Sequence, residues 1–402
     1  MKNSLFLFAL IGILLSFGLG CAKVNEQEII SDKENETASI KEKLVCMGFG
    51  SKDFKMLNDS IVQVYDDLLI DKRAILYGQK KILNDPNSIQ PRSIVVNSIG
   101  IVSHSFVQNI FYWIDPEVRN AIYANTWEQA IVEATNDWSN IPGSAVRFTR
   151  INQNDLPWMQ FAFGQLVIFT TNRKDEQWKP PVCSVKPANP SDATSWVAQA
   201  LFPAEYVWEP GNVKAGYMVV INDYNSTATI YGKMREAIKH EIGHTLGFRH
   251  SDALNDGETD IVENPKPCDD AFVSGRNVIC GTPSLDLGSI MVHNSPGSEL
   301  QFNSNDIRAI QILYPDIQNF SANINLVSYN HNTGKLWFQV QSSTSWNDIT
   351  VTRNGTTIYS GCPGEGPQFS AYDNLSSPIQ YHVKFTNFKG DVVIERDLLA
   401  YF

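Results

Sequence analysis

Long apolar runs are scarce in this 402-residue sequence: the longest, Leu5 to Leu19, stops at 15 residues, short of the roughly 20 that cross a bilayer as a helix. A protein built of membrane-spanning helices is therefore excluded. Positive charge is also in deficit, with 32 Lys and Arg against 43 Asp and Glu and a formal net charge of −11. The basic footprint that a nucleic-acid partner requires is missing. Glycine (25) and proline (19) are spread along the chain, and no repeat of solenoid period recurs, so fibrous, disordered and repeat architectures fall away too. What is there, 43% hydrophobic and 11% aromatic residues, is the composition of a globular protein with length for two or three domains.

The first 43 residues read as an address and a tether. Lys2 precedes the apolar run and Gly20-Cys21 closes it, the layout of a signal peptide over residues 1–20. Gly18-Leu19-Gly20-Cys21 resembles the lipobox of bacterial lipoproteins. That resemblance implies lipidation of Cys21 and, with Ala22 next to it, an outer-membrane or cell-surface location. Residues 21–43 are polar and charged, as a flexible tether would be. Export implies an oxidising compartment, in which Cys268 and Cys280, flanking a polar loop, are the expected disulfide. A loop closed there stabilises by on the order of 3 kcal/mol. Cys46, Cys183 and Cys362 complete an odd set beyond Cys21, so at least one thiol is left over.

Three folded regions follow. Residues 44–90 read as a small pre-domain, with a strand-like run from Ile61 to Tyr65 and apolar-periodic positions at Ile70, Ala74, Ile75 and Ile82. Residues 91–317 alternate strand and helix. Strands are predicted at Asn109 to Ile114, Ala145 to Phe148, Trp158 to Phe163, Val167 to Thr170 and Tyr217 to Ile221. A helix is predicted at Thr126 to Trp138, and a long surface loop from Asn172 to Ala215. From 318 to 402, short alternating runs with an Asn354-Gly355 hairpin turn between two of them predict an all-β, immunoglobulin-like sandwich. The expected class is α+β.

Chemistry concentrates in one place. Three of the seven histidines lie within eleven residues, His240-Glu241-Ile242-Gly243-His244-Thr245-Leu246-Gly247-Phe248-Arg249-His250. Chance would produce that pattern with a probability on the order of 10⁻⁵. Met234, Ile238, Ile242 and Leu246 recur every fourth residue, predicting a helix from Tyr231 to Leu246 with one buried stripe. His240 and His244 lie one turn apart on its other side, a separation at which two imidazoles share a metal ion. Gly247 supplies the left-handed residue with which a helix stops and folds back, and His250 becomes the third ligand. Three neutral imidazoles around Zn²⁺ leave a position open for water, the mark of a catalytic site. Glu241, beside the metal but not on it, is placed to take that water's proton.

These eleven residues match the metzincin motif of zinc endopeptidases, and His240 to His244 spell HEIGH. With Cys280-Gly281-Thr282-Pro283, Asp286, Ser289-Ile290-Met291 and Asp306-Ile307 through Leu313-Tyr314-Pro315, the sequence resembles the bacterial dual-action HEIGH metallopeptidases from about Leu44 to Pro315. The resemblance implies a mixed, mostly parallel sheet with a long zinc-binding helix, one catalytic Zn²⁺, and Met291 in a tight turn beneath it. It also implies an endopeptidase acting on extracellular proteins, with the protein or peptide substrate lying as an added strand along a sheet edge. The membrane partner is expected through the N-terminal lipid, and the chain is expected to be a monomer. Astacin-like and serralysin-like relatives carry a tyrosine where this chain has His293. His293 is thus a candidate extra donor to the oxyanion, the alternative being a surface-loop histidine.

Several features carry blander expectations. Asp252, Asn255, Asp256 and Asp260 could gather Ca²⁺, but their spacing misses the EF-hand pattern and a solvated acidic loop is expected. Cys46 could hold the zinc latent as a thiolate, but the proregion motif that accompanies such switches is absent. His104, His331 and His382 have no partner at metal spacing. The alternative to an enzyme is a surface-binding lipoprotein that retains the fold without catalysis, and Glu241 separates the two.

Overall fold

The computed structural model describes residues 35–44, 49, 54–57, 60–64, 68–72, 75, 95–96, 101–120, 124–152, 166–171, 197–205, 213–222, 231–252, 277–279, 281–283, 285–293, 301–330, 332–333, 335–362, 368–372, 379–387 and 393–401. Outside them lie the signal peptide, Cys21, Cys46, Cys183, Cys268, Cys280, the run Trp158 to Phe163, the acidic positions Asn255, Asp256 and Asp260, and His331. The chain divides into two units, Met1–Glu42 and Lys43–Phe402. In the first, residues 35–42 are helical, where a flexible tether was expected. Ala38, Lys41 and Glu42 are among the better helix formers.

The second unit opens with strands β1 (Phe54–Met56), β2 (Ile61–Val64), β3 (Leu68–Asp71) and β4 (Val95–Val96). Helix α1 (His104–Val107), β5 (Ile110–Ile114), α2 (Pro116–Asn120) and α3 (Ala124–Ser139) follow. Then come β6 (Phe148–Arg150), β7 (Leu166–Thr171), β8 (Ala198–Leu201), β9 (Ala204–Glu205), β10 (Val213–Lys214) and β11 (Met218–Ile221). Helix α4 (Tyr231–Thr245), β12 (Asn277–Val278) and α5 (Ser304–Leu313) complete this region.

Strands β5 (IFYWI), β7 (LVIFTT) and β11 (MVVI) are near-continuous apolar runs, as strands covered on both faces must be. They lie inside an eight-stranded sheet of order β1-β2-β3-β8-β11-β7-β5-β6. From β11 to β6 the neighbours are parallel, whereas β8 runs antiparallel to β11. Beyond β8 the sheet continues into the antiparallel β1-β2-β3 array, with β3 parallel to β8. Residues 44–90 are thus not a separate pre-domain: their strands extend the same sheet, and Ile70 sits in one of them. The predicted loop from Asn172 to Ala215 holds β8, β9 and β10. Ala-Gln-Ala-Leu has little strand propensity, so β8 owes its state to pairing with β11. The main core fills the space between the sheet and helices α3, α4 and α5, with Trp127, Ile131, Trp138, Phe169, Ile238 and Ile242 among its members.

The C-terminal region is all β, from β13 (Ala322–Asn330), β14 (Lys335–Ser342), β15 (Asp348–Arg353) and β16 (Thr356–Gly361) to β17 (Gln368–Tyr372), β18 (Ile379–Thr386) and β19 (Val393–Ala400). Asn354 and Gly355 take φ 49° and 76°, the paired positive angles of the tight hairpin turn. The strands form one ladder, β16-β15-β18-β19-β13-β14-β17, because Ile324 of β13 pairs with Ala400 of β19. Trp346, Phe338, Tyr381 and Phe385 anchor its own core. Cys362 is disulfide-bonded to a partner outside the described residues and packs against the main core of the preceding region.

Candidate metal centre

Helix α4 is fixed before it presents any ligand. Its stripe of Met234, Ile238, Ile242 and Leu246 is fully buried. Arg235 donates from Nε and Nη2 to both oxygens of Asp137 on α3, at 2.9 and 2.8 Å. Trp138 Nε1 donates to the Lys239 carbonyl at 3.0 Å, one residue before the first histidine. The helix then stops as its glycine dictates. Gly247 takes φ 97°, its N–H donates to the His244 carbonyl, and the Phe248 N–H donates to the Gly243 carbonyl, both at 3.0 Å.

That reversal brings His250 back to the helix. The candidate ligand atoms of His240, His244 and His250 lie within 4.8 Å of one another and all three residues are buried. Their ring centroids stand 4.7, 4.9 and 5.2 Å apart. His240 Nδ1 donates to the Ile290 carbonyl at 2.9 Å, and His244 Nδ1 to the Phe248 carbonyl at 2.8 Å. A carbonyl can only accept, so each Nδ1 is the donor, and the ring nitrogen that can ligate an ion is Nε2. Buried imidazoles oriented from behind in this way are the donor set that Zn²⁺ takes, and the site fits that ion. Glu241, 3% exposed, lies in the same helix turn.

A tight turn supports this centre from below. Ser289 Oγ accepts from the Met291 N–H at 3.0 Å, and the Met291 carbonyl accepts from the Ser251 N–H at 2.8 Å. The third-ligand segment is thereby tied to the turn, with Ser251 Oγ donating to the Asp286 carbonyl at 2.9 Å. The sulfur of Met291 lies against Gly243: a Cβ built there would meet Sδ at 2.2 Å. Asp306 joins the turn to α5. It accepts from Ser289 Oγ at 2.5 Å, from the Ile290 N–H at 3.1 Å and from the Asn303 N–H at 3.0 Å. Asn303 returns the contact as the N-cap of α5. Burial pushes the Asp306 carboxyl up to about 6, with Asp286 adding to the rise and these hydrogen bonds opposing it.

His293 stands beside the centre rather than out on a loop: its ring lies 4.7 Å from that of His250, and its N–H donates to Asp252 Oδ1 at 2.9 Å. Asp252 is buried and serves this contact. Gly243, Ser251, Asp286 and Asp306 were not singled out as site residues by spacing alone. An Asn three places before an Asp, the capping box that opens α5, was a legible signal for Asp306, and a glycine inside a helix was one for Gly243.

Residues 211–314 match the family model of the dual-action HEIGH metallopeptidases. No curated protein matches the chain. Among solved structures, the crystal structure of myroilysin aligns with a TM-score of 0.25 at 14% identity, over 65% of this chain and 94% of that one.

Proposed function

We infer that the chain is a metzincin-type zinc endopeptidase cleaving extracellular proteins, a reading supported by the match of residues 211–314 to the family model of the dual-action HEIGH metallopeptidases. The buried histidine triad with its two carbonyl-bound Nδ1 atoms carries this reading. His240, His244 and His250 would hold the ion. Bound Zn²⁺ supplies an electrophile that polarises a scissile carbonyl and acidifies a water. Glu241 takes the proton of the attacking water and returns it to the leaving amine. His293, its ring 4.7 Å from that of His250, donates to the developing oxyanion. The substrate lies extended and is fixed by main-chain pairing. The signal-peptide layout and Cys21 support export and lipid anchoring at the outer membrane or cell surface.

Glu241→Gln tests the reading, assayed on a denatured protein substrate before and after limited proteolysis of the chain. Elemental analysis is expected to find one zinc in both proteins, while cleavage falls by about 10²–10⁴-fold in the variant. Wild type that holds zinc yet cleaves nothing in either form would favour a binding lipoprotein instead.

A further inference from the structure

Helix α4 carries a buried acid that the centre does not use. Glu236 stands four residues before His240, as His240 does before His244, so the three share one face of the helix. That face points away from the buried stripe of Met234, Ile238 and Ile242. Side chains on a helix lean toward its N-terminus. Glu236 therefore lies a full turn, about 6 Å along the axis, beyond the metal-ligand set of His240, His244 and His250, which it does not join.

A carboxylate buried without a counter-charge is costly. Glu236 is 6% exposed, and its Oε1 is sealed from solvent with no hydrogen-bond partner among the described residues, Lys233 one turn earlier included. The other flanking cations are held elsewhere. Arg235 reaches Asp137 and Glu133 at 2.8 and 3.3 Å, and Lys239 reaches Gln301 and Asp137 at 3.2 and 3.7 Å.

Its position around the helix ties it to the centre. At about 100° per residue, Glu236 projects between His240 and Lys239. His240 Nδ1 binds the Ile290 carbonyl and Lys239 Nζ binds Gln301. The carboxylate thus belongs to the flank on which the methionine turn and the approach to α5 meet the helix.

We propose that Glu236 is a specificity residue: its carboxylate receives the cationic side chain, lysine or arginine, of a substrate residue flanking the scissile bond. This rests on the endopeptidase reading for the identity of the ligand. A peptide whose carbonyl meets an ion beside His240 has its neighbouring side chains about one helix turn from Glu236, a gap that a lysine or arginine stem bridges. A charge pair closed there, with water excluded from the acid, discriminates against a neutral side chain of the same stem.

The test uses the zinc-loaded chain, full-length and after limited proteolysis. Two pairs of fluorescein-labelled hydroxamates, one pair extending to each side of the metal, carry lysine or norleucine next to the metal-binding group. Norleucine keeps the stem and drops the charge. Anisotropy titrations compare wild type with Glu236→Gln and, as a second neutral variant, Glu236→Ala, the zinc of each being counted. On one side of the metal, wild type is expected to bind the lysyl probe more tightly than the norleucyl one by about tenfold or more. The ratio should collapse to about one in both variants. Quenched peptides bearing Lys, Leu or Glu at the same position should be cleaved by wild type in that order of kcat/KM. A wild-type ratio near one on both sides, which needs no variant to be read, overturns the proposal, and so does a ratio that survives in either variant. A preference for lysine that depends on Glu236, without hydrolysis of any peptide, upholds it and sinks the endopeptidase reading; hydrolysis with no such preference does the reverse.

Discussion

Asp306 shows how much of the centre depends on side chains that touch neither metal nor substrate. Its carboxyl gathers Ser289, Ile290 and Asn303, and the Ile290 carbonyl orients His240, so one buried acid sets the pose of a ligand through a single residue. Burial holds its folded pKa at about 6, above the ordinary 3.8. A raised carboxyl pKa means that the folded state keeps the proton more tightly than the unfolded chain. The associated stability is full below the ordinary value and is lost as pH rises through about 6. At about 1.4 kcal/mol per pH unit the loss comes to about 3 kcal/mol. Asp306→Asn should remove that dependence while other groups titrate unchanged. The unfolding free energy of wild type minus that of the variant, from urea titrations, should therefore fall by about 2 kcal/mol of this between about pH 4 and about pH 7. A difference that stays constant would show that this carboxyl does not titrate in the fold as described. The histidines were legible because their spacing is local. Asp306 acts across the fold, and periodicity says nothing about such a partner.

At the scale of elements, the chain's legible parts are those whose pattern is self-sufficient. β5, β7 and β11 are apolar runs, α3 and α4 carry one buried stripe each, and Gly247 marks the stop of α4. What escaped depends on a neighbour: β8 is a strand because β11 lies beside it, and β3 joins the sheet because β8 does. The packing of α4 on the methionine turn is of the same kind, and Gly243 makes it measurable. In a helix interior, Gly gives up about 1 kcal/mol relative to Ala, yet an added Cβ here would stand 2.2 Å from Met291 Sδ and 3.0 Å from its Cε. Forcing a methyl into a filled site costs about 1–3 kcal/mol, so the clash outweighs the helix gain. Gly243→Ala should destabilise wild type but stabilise a Met291→Ala background by about 1 kcal/mol, where the propensity term acts alone. Urea unfolding of the four proteins reads the change of sign, and the same sign in both backgrounds would refute the contact.

Over the whole molecule the C-terminal strands are tied to the region that carries the metal centre. Thr344 Oγ1 donates to the Gly143 carbonyl at 2.7 Å, and Ser345 Oγ donates to Gln311 of α5 at 2.7 Å. Gly143 itself takes φ 68°, and a Cβ there would stand 2.4 Å from the Ser343 carbonyl, so two backbones meet where only glycine fits. Cys362 lies against the main core and is covalently bonded. Modules joined this way exchange free energy, and their unfolding should be shared. Calorimetry of the intact second unit is expected to give one transition. A chain ending at residue 317 should melt lower than that transition, since it loses both the junction and whatever the disulfide contributes, which for such bonds is about 2–4 kcal/mol. Gly143→Ala should lower the single transition of the longer chain, because positive φ alone costs a non-glycine residue about 1–2 kcal/mol and the carbonyl opposite is backbone that cannot turn aside. Two separate transitions, with the truncated chain melting where the first one does, would instead make the C-terminal strands an independent passenger.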